Sequence, residues 1–160
     1  MSQAPAAAAS LVTAPIPLAS LADTEALAGR IARALRGGDV LTLGGELGAG
    51  KTTLVQAMGR HWHVDDGLIR SPTFSLVNVV DLGEFDLVHA DLYRLTGPED
   101  VISSGLIELL GATDCVCVVE WPDAAQGLLP PNTLGLTLRL NGATGMRSAV
   151  PNAELAARLT

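Results

Sequence analysis

Apolar positions in the first half of the chain follow a helix, strand, helix order. One helical face is formed by Leu27, Ile31, Ala34 and Leu35. Asp23 is a suitable N-cap for this helix, and Gly37 and Gly38 end it. The run DVLTLGG that follows predicts a buried strand, and residues 51–60 return to helical spacing. Before the first helix, the proline-containing run LVTAPIPLA predicts an edge strand.

The second half of the chain is richer in strand patterns. Two β-rich runs, 71–80 and 85–95, are joined by DLGE and predict a hairpin. Residues 98–111 predict one or two short helices, and the apolar run DCVCVVEW is typical of a strand buried on both faces of a parallel sheet. The runs NTLGLTLRL and GMRSAV predict the last strands. The alternation predicts an α/β domain with a mostly parallel sheet, a β-hairpin insertion and helices on both faces.

The 160 residues are predicted to form one small domain. Residues 1–10 are Ala-rich and lack apolar periodicity, so we expect a disordered N-terminal tail there. The domain itself is expected to occupy residues 11–150. Residues 151–160 are expected to be a C-terminal tail.

Charge and apolar runs limit the partners that the sequence predicts. The formal net charge of −7 argues against a surface that binds nucleic acid by itself, because such binding depends on neutralisation of phosphates by Lys and Arg. The basic residues form a cluster only on the first predicted helix, at Arg30, Arg33 and Arg36. No apolar run is long enough to predict a membrane span. Cys115 and Cys117 fit buried free thiols, and we expect a cytoplasmic protein.

Residues 45–52, GELGAGKT, match the phosphate-loop pattern G-x-x-x-x-G-K-S/T between a predicted strand and a predicted helix. In such a loop, backbone N–H groups face an anion and the helix N-terminus adds its dipole. Lys51 is the only lysine in the sequence. We expect it to face solvent without nucleotide and to reach the β- and γ-phosphates as a compact ammonium, for which a guanidinium is too large. Thr52 is expected to bind Mg²⁺, and Thr53 to reach an inner phosphate. The predicted nucleotide-binding residues of the loop are Glu46, Leu47, Gly48, Ala49, Gly50, Lys51, Thr52 and Thr53.

A phosphate loop works with an acid at the end of a neighbouring strand, which holds or orients Mg²⁺. Glu120 ends the run CVCVVE and is the preferred metal-associated acid. Asp91 is the second candidate, with helix capping or pairing with Arg94 as its structural alternative. Trp121 is predicted to stack on the base or gate the nucleotide, with core packing as the alternative. His89 is expected to be a hydrogen-bonded, half-buried residue without a catalytic role.

The segment SPTF is predicted to be a switch that responds to the nucleotide. It contributes Ser71, Pro72 and Thr73. The hydroxyl of Thr73 could meet the γ-phosphate or Mg²⁺, and Pro72 stiffens the entry to the segment.

The motifs GELGAGKTTL, SPTFSLV, HADLYRL and VVEWPD occur in this order, and together they resemble the TsaE family of bacterial ATPases required for making threonylcarbamoyladenosine on tRNA. The resemblance covers residues 16–150. It implies a small α/β phosphate-loop fold, Mg-ATP binding and slow ATP hydrolysis. It also implies action together with the TsaD and TsaB proteins, so that tRNA is met only through the complex. It further implies that Lys51, Asp91 and Glu120 are the catalytic residues.

Two other functions are compatible with a phosphate loop. One is a kinase for a small metabolite, although residues 97–114 contain no arginine for a kinase lid. The other is a nucleotide-switched binding module whose output is the shape of its switch segment.

Overall fold

A seven-stranded sheet runs through the protein. The computed structural model describes residues 13–72 and 75–160, so the predicted tail at 1–10 lies outside the described residues. The strands are β1 (Ile16–Leu18), β2 (Val40–Gly44), β3 (Val77–Asp81), β4 (Asp86–Asp91), β5 (Cys115–Glu120), β6 (Leu134–Leu140) and β7 (Arg147–Pro151). Their order across the sheet is β1-β7-β6-β2-β5-β4-β3.

The four central strands, β6, β2, β5 and β4, are parallel to one another. The antiparallel pairs lie toward the edges, where β3 pairs with β4, β6 with β7 and β1 with β7. The predicted hairpin and the predicted edge strand are therefore both confirmed. In the parallel register, Glu120 of β5 lies between Leu43 of β2 and Asp91 of β4.

Helices cover both faces of the sheet, as predicted for this α/β fold. They are α1 (Leu21–Ala34), α2 (Lys51–His61), α3 (Pro98–Ser103) and α4 (Ala153–Arg158). One apolar core joins α1 and α2 to the sheet through residues such as Ile31, Met58 and Val118. A second core lies on the other face, where Val101 of α3 packs with Val119 of β5. Within residues 13–72 and 75–160, no helix combines the length and apolar character needed to cross a membrane.

The start of α1 differs from the prediction. Its N-cap is Ser20, and Asp23 is the third residue of the first turn. The Ser20 side chain accepts a hydrogen bond from the Asp23 backbone N–H, and the Asp23 carboxylate accepts one from the Ser20 backbone N–H. The prediction of Asp23 as N-cap was wrong because both residues have the oxygen acceptor that a cap needs, and the reciprocal pair uses both.

Strand β5 is buried along its whole length. This confirms the prediction from its continuous apolar run, since parallel neighbours and two helical layers enclose it. Cys115 and Cys117 are buried free thiols in the second core. Burial raises the pKa of Cys117 to about 12, so this thiol stays protonated and unreactive at neutral pH.

The C-terminal residues form a helix where the sequence predicted a tail. The side chain of Asn152 accepts a hydrogen bond from the Leu155 N–H and caps α4, and Leu155 is fully buried against the sheet. The helix has only six residues, which is too short for a recognisable apolar period. Arg158 of α4 donates to both carboxylate oxygens of Asp39, and Asp39 is 7% exposed.

We expect Arg158→Ala to lower the free energy of unfolding by about 1–3 kcal/mol. The substitution leaves the Asp39 carboxylate nearly buried without its cation, and part of the cost is screened because Arg158 itself is half-exposed. Urea denaturation measures the change. The control is Arg139→Ala on the exposed side of β6, which should change stability by less than about 0.5 kcal/mol. Equal effects of the two substitutions would contradict the role given to the pair.

Candidate nucleotide-binding site

Residues 45–50 join the end of β2 to the start of α2. Gly45 has a φ of 129°, and a Cβ there would lie 2.3 Å from the carbonyl oxygen of Leu138 on β6, so only glycine fits. Gly50 has a φ of 104° and precedes α2 without a side-chain cap. The first N–H groups of α2 therefore have no side-chain acceptor, which leaves them available to an anion.

The Lys51 side chain is only 5% exposed. Its Nζ donates to the carbonyl oxygens of Gly45 at 2.7 Å and Glu46 at 2.9 Å. The indole of Trp121 covers it from the other side, with its ring centroid 3.8 Å from Nζ. The prediction of a solvent-facing lysine is wrong because the loop carbonyls and Trp121 enclose the ammonium.

The charge on Lys51 is only partly compensated. Burial lowers the pKa of Lys51, and the more distant carboxylates of Glu120, Asp91 and Glu46 oppose this shift. Among the described residues, no carboxylate lies within ion-pair distance of Nζ. The loop thus holds a partly desolvated cation next to N–H groups without side-chain acceptors, which is an arrangement that favours a bound anion.

Glu120 lies at the end of β5, directly beside the loop. Its side chain is almost fully buried, at 2% exposure. The hydroxyl of Thr52 donates to this carboxylate, with distances of 3.0 Å to Oε1 and 3.3 Å to Oε2. On the buried side, Nε2 of His89 on β4 lies 2.8 Å from Oε1 of Glu120. The preferred acid of the sequence analysis is therefore next to the threonine that was predicted to bind the same metal.

Asp91 lies beside Glu120 on the neighbouring strand, but it has different partners. Its Oδ2 accepts from the Ser71 hydroxyl at 3.2 Å, and its Oδ1 accepts from the Tyr93 backbone N–H at 2.9 Å. It therefore connects the predicted switch segment with the turn after β4. Pro72 of that segment is buried. Thr73, the third predicted switch residue, lies outside the described residues.

Trp121 follows Glu120 in an unusual backbone conformation. It has a φ of 54° and a ψ of 60°, in the left-handed region that large side chains rarely adopt. The conformation turns the indole over Lys51 and against Tyr93, whose ring centroid is 4.9 Å away. Trp121 thus packs at the mouth of the site and not in either apolar core.

A cavity of about 700 Å³ opens at this end of the sheet. All of the predicted nucleotide-binding residues except Glu46 line it, and so do both acids, Asp91 and Glu120. Residues 18–21 with Thr24, and the β6–β7 turn at 144–147, form the far wall. Sequence reasoning missed this wall, because its two segments are distant along the chain and neither carries a motif.

The residues present fit Mg²⁺ with a nucleotide. Magnesium is usually bound by one or two protein oxygens together with phosphate oxygens and waters. Thr52 and Glu120 offer such oxygens beside the loop. Within residues 13–72 and 75–160, there is no group of three or more His, Cys, Asp or Glu residues that could hold a metal ion, at this site or outside it.

A phosphate loop between a parallel strand and a helix, with an acid from the next strand touching its threonine, defines a phosphate-loop nucleotide-binding protein. Comparison with known proteins gives the family. The model of the family described as "Threonylcarbamoyl adenosine biosynthesis protein TsaE" matches residues 18–148. This chain belongs to the TsaE family.

Individual relatives agree with this assignment. The tRNA threonylcarbamoyladenosine biosynthesis protein TsaE of Streptomyces coelicolor is 41% identical over 118 residues, covering 72% of this chain and 77% of the relative. The protein of the same name from Rickettsia prowazekii is 31% identical over 123 residues, covering 77% and 84%. The crystal structure of Bacillus subtilis YdiB superimposes with a TM-score of 0.73 at 26% identity, covering 94% of this chain and 97% of YdiB.

We expect Lys51→Met to weaken binding of ADP by at least about 100-fold, because the ammonium gives charge-assisted hydrogen bonds to phosphate that a thioether cannot replace. Isothermal titration measures the affinity. The fold should persist, with a Tm within about 5 °C of the wild type, since methionine fills a similar buried volume. Lys51→Arg is the matched variant that keeps the charge, and it should bind weakly too because Trp121 and the loop leave little room. Tight binding by either variant would contradict the role given to the ammonium.

Proposed function

We propose that this protein is a Mg-ATP-dependent ATPase that supports the formation of threonylcarbamoyladenosine on tRNA together with the TsaD and TsaB proteins. The observation that carries the proposal is the contact of Thr52 with Glu120 beside the phosphate loop. The relatives' names supply the pathway, and the resemblance of the motifs to the TsaE family supplies the two partner proteins.

In this proposal the loop N–H groups and Lys51 bind the β- and γ-phosphates, and Thr52 and Glu120 hold the metal. Magnesium, when bound, neutralises charge on the phosphoryl oxygens. Glu120 either ligates the metal or orients the attacking water. The fixed N–H groups and the ammonium already point where negative charge develops, so they stabilise the transition state without rearrangement.

Slow intrinsic hydrolysis fits the composition of the cavity. Arg147 is the only arginine among the described residues that line it. Arg147 is the first residue of β7, and it pairs with Leu140, the last residue of β6, next to the β6–β7 turn. Enzymes of this class gain much of their rate from an arginine at the γ-phosphate, often supplied by a partner. We therefore propose that the complex with TsaD and TsaB raises the rate.

The surface charge supports an indirect contact with tRNA. With a net charge of −7, the isolated chain repels a polyanion. Arg30 and Arg33 are exposed on α1, whereas Arg36, which the sequence placed on the same helix, is exposed just beyond the C-cap Leu35. Three cations give only weak, salt-sensitive binding. The tRNA is therefore met through the partner proteins.

A metabolite kinase is the weaker alternative. None of the residues between Gly97 and Asp114 lines the nucleotide cavity, and α3 lies against the opposite face of the sheet from α2. This segment therefore does not form a lid over a second substrate. A nucleotide-switched binding module is largely contained in the main proposal, since the Ser71–Asp91 contact could couple the nucleotide to partner binding.

We expect Glu120→Gln to keep ADP affinity within about threefold and to lose at least about 100-fold in kcat, because the carboxylate acts mainly on the transition state. Steady-state ATP hydrolysis and titration with ADP measure the two quantities. Asp91→Asn is the matched acid-to-amide variant on the neighbouring strand. An inactive Asp91→Asn with a fully active Glu120→Gln would exchange the roles of the two acids, and normal activity in both would refute the metal site.

The proposed pathway is tested by reconstitution. We expect repeated rounds of tRNA threonylcarbamoylation by TsaD and TsaB to require this protein and ATP, and to stop with Lys51→Met. In filter binding at near-physiological salt, the isolated protein should show no tight tRNA binding. Modification over many turnovers without this protein would refute the assignment, and tight tRNA binding would refute the charge argument.

A further inference from the structure

His89 is a fully buried polar residue directly beneath the candidate site. It lies in the middle of β4 with 0% exposure. Its Nε2 is 2.8 Å from Glu120 Oε1. Its other ring nitrogen, Nδ1, is buried and has no hydrogen-bond partner among the described residues. The sequence predicted a half-buried histidine with its hydrogen bonds satisfied, so both the full burial of His89 and its unpartnered Nδ1 differ from that expectation.

The partners of the two ring nitrogens indicate which nitrogen of His89 donates a hydrogen bond. The Glu120 carboxylate is an acceptor, so a hydrogen on Nε2 satisfies this contact. Nδ1 then carries only a lone pair, and a buried lone pair costs less than a buried N–H without an acceptor. His89 is therefore a donor on one side only, and its single hydrogen bond ends on Glu120.

The sheet fixes this donor with respect to the nucleotide cavity. Asp91 of β4 and Glu120 of β5 are register partners. His89 lies two residues before Asp91 on β4, and its register partner on β5 is Val118. Alternation along a strand puts His89 on the same face as Asp91. The imidazole thus approaches Glu120 from within the apolar core, while Thr52 approaches from the loop.

The two carboxylate oxygens of Glu120 consequently differ. Oε1 accepts from His89 at 2.8 Å and from Thr52 at 3.0 Å. Oε2 accepts only the longer contact from Thr52, at 3.3 Å. Glu120 lines the cavity, whereas His89 does not. A carboxylate held at one oxygen cannot rotate freely, so its second oxygen keeps one direction.

We propose that His89 is a positioning residue, which holds Oε1 of Glu120 so that Oε2 is presented to the metal side of the nucleotide cavity. The inference rests on the proposed function of Glu120. Residues that orient a metal-binding carboxylate in this way typically change metal affinity 10- to 100-fold when removed. A histidine that only fills the core would affect stability and leave the magnesium requirement unchanged.

The test compares three substitutions at this position. His89→Leu fills a similar volume without a donor. His89→Gln places an amide N–H close to the position of Nε2, whereas the shorter His89→Asn places its amide too far from Glu120. For each variant, ADP affinity is measured by calorimetry without Mg²⁺ and over a series of Mg²⁺ concentrations. Thermal unfolding and the kcat and KM for ATP are measured in parallel.

We expect His89→Leu and His89→Asn to bind ADP without Mg²⁺ within about twofold of the wild type. In both variants, the Mg²⁺ concentration that produces half of its effect on ADP affinity should rise about 10-fold. The kcat for ATP hydrolysis should fall about 10-fold, with the KM for ATP little changed. His89→Gln should recover both quantities to within about threefold. In the Glu120→Gln background, His89→Leu should have no further effect on the Mg²⁺ requirement, because the interaction that it removes is already lost.

Two results would overturn the inference. One is a wild-type Mg²⁺ requirement in a folded His89→Leu or His89→Asn. The other is a His89→Gln protein as defective as His89→Asn at equal thermal stability. If ADP binding by the wild type does not depend on Mg²⁺ at all, the proposed function falls together with this inference. If the wild type depends on Mg²⁺ and the variants match it, only the role of His89 falls.

Discussion

The hydrogen bonds from Thr52 to Glu120 join the phosphate loop to the centre of the sheet, and the geometry of the site depends on them. Thr52 is in the first turn of α2, and Glu120 ends the most buried strand. Because β2 and β5 are parallel neighbours, the loop after β2 and the acid after β5 emerge at the same edge. Any change in the register of these two strands would move the acid away from the loop.

Polar groups are concentrated where the apolar core meets this edge. Lys51, His89 and Glu120 account for three of the four buried polar or charged residues in the described part of the chain, and the fourth, Asp39, is paired with Arg158. Buried charges are costly unless they are compensated. The rigid packing of α1 and α2 on the sheet retains them at fixed distances, which is the condition for a preorganised anion site.

The two acids share an edge but have separate connections. Glu120 contacts the loop and the core through Thr52 and His89, while Asp91 contacts Ser71 and the turn that carries Tyr93. Tyr93 in turn packs on Trp121, which covers Lys51. The segment around Ser71 therefore contacts the end of β4 through Asp91, and the segment after β4 contacts the segment after β5, whose Trp121 covers the Lys51 ammonium.

The sequence by itself determined the class of fold, the phosphate loop and the two candidate acids. Those features depend on local patterns: the periods of apolar residues, a contiguous eight-residue loop motif, and carboxylates at the ends of apolar strands. The tertiary structure decided which residues meet. The burial of Lys51, the partners of Asp91, the contact of His89 with Glu120 and the far wall of the cavity all depend on strand order and register, which bring together residues distant along the chain. The same holds for α4, because a helix of six residues is stabilised by Leu155 in the core and by Arg158 on Asp39, and not by its own propensity.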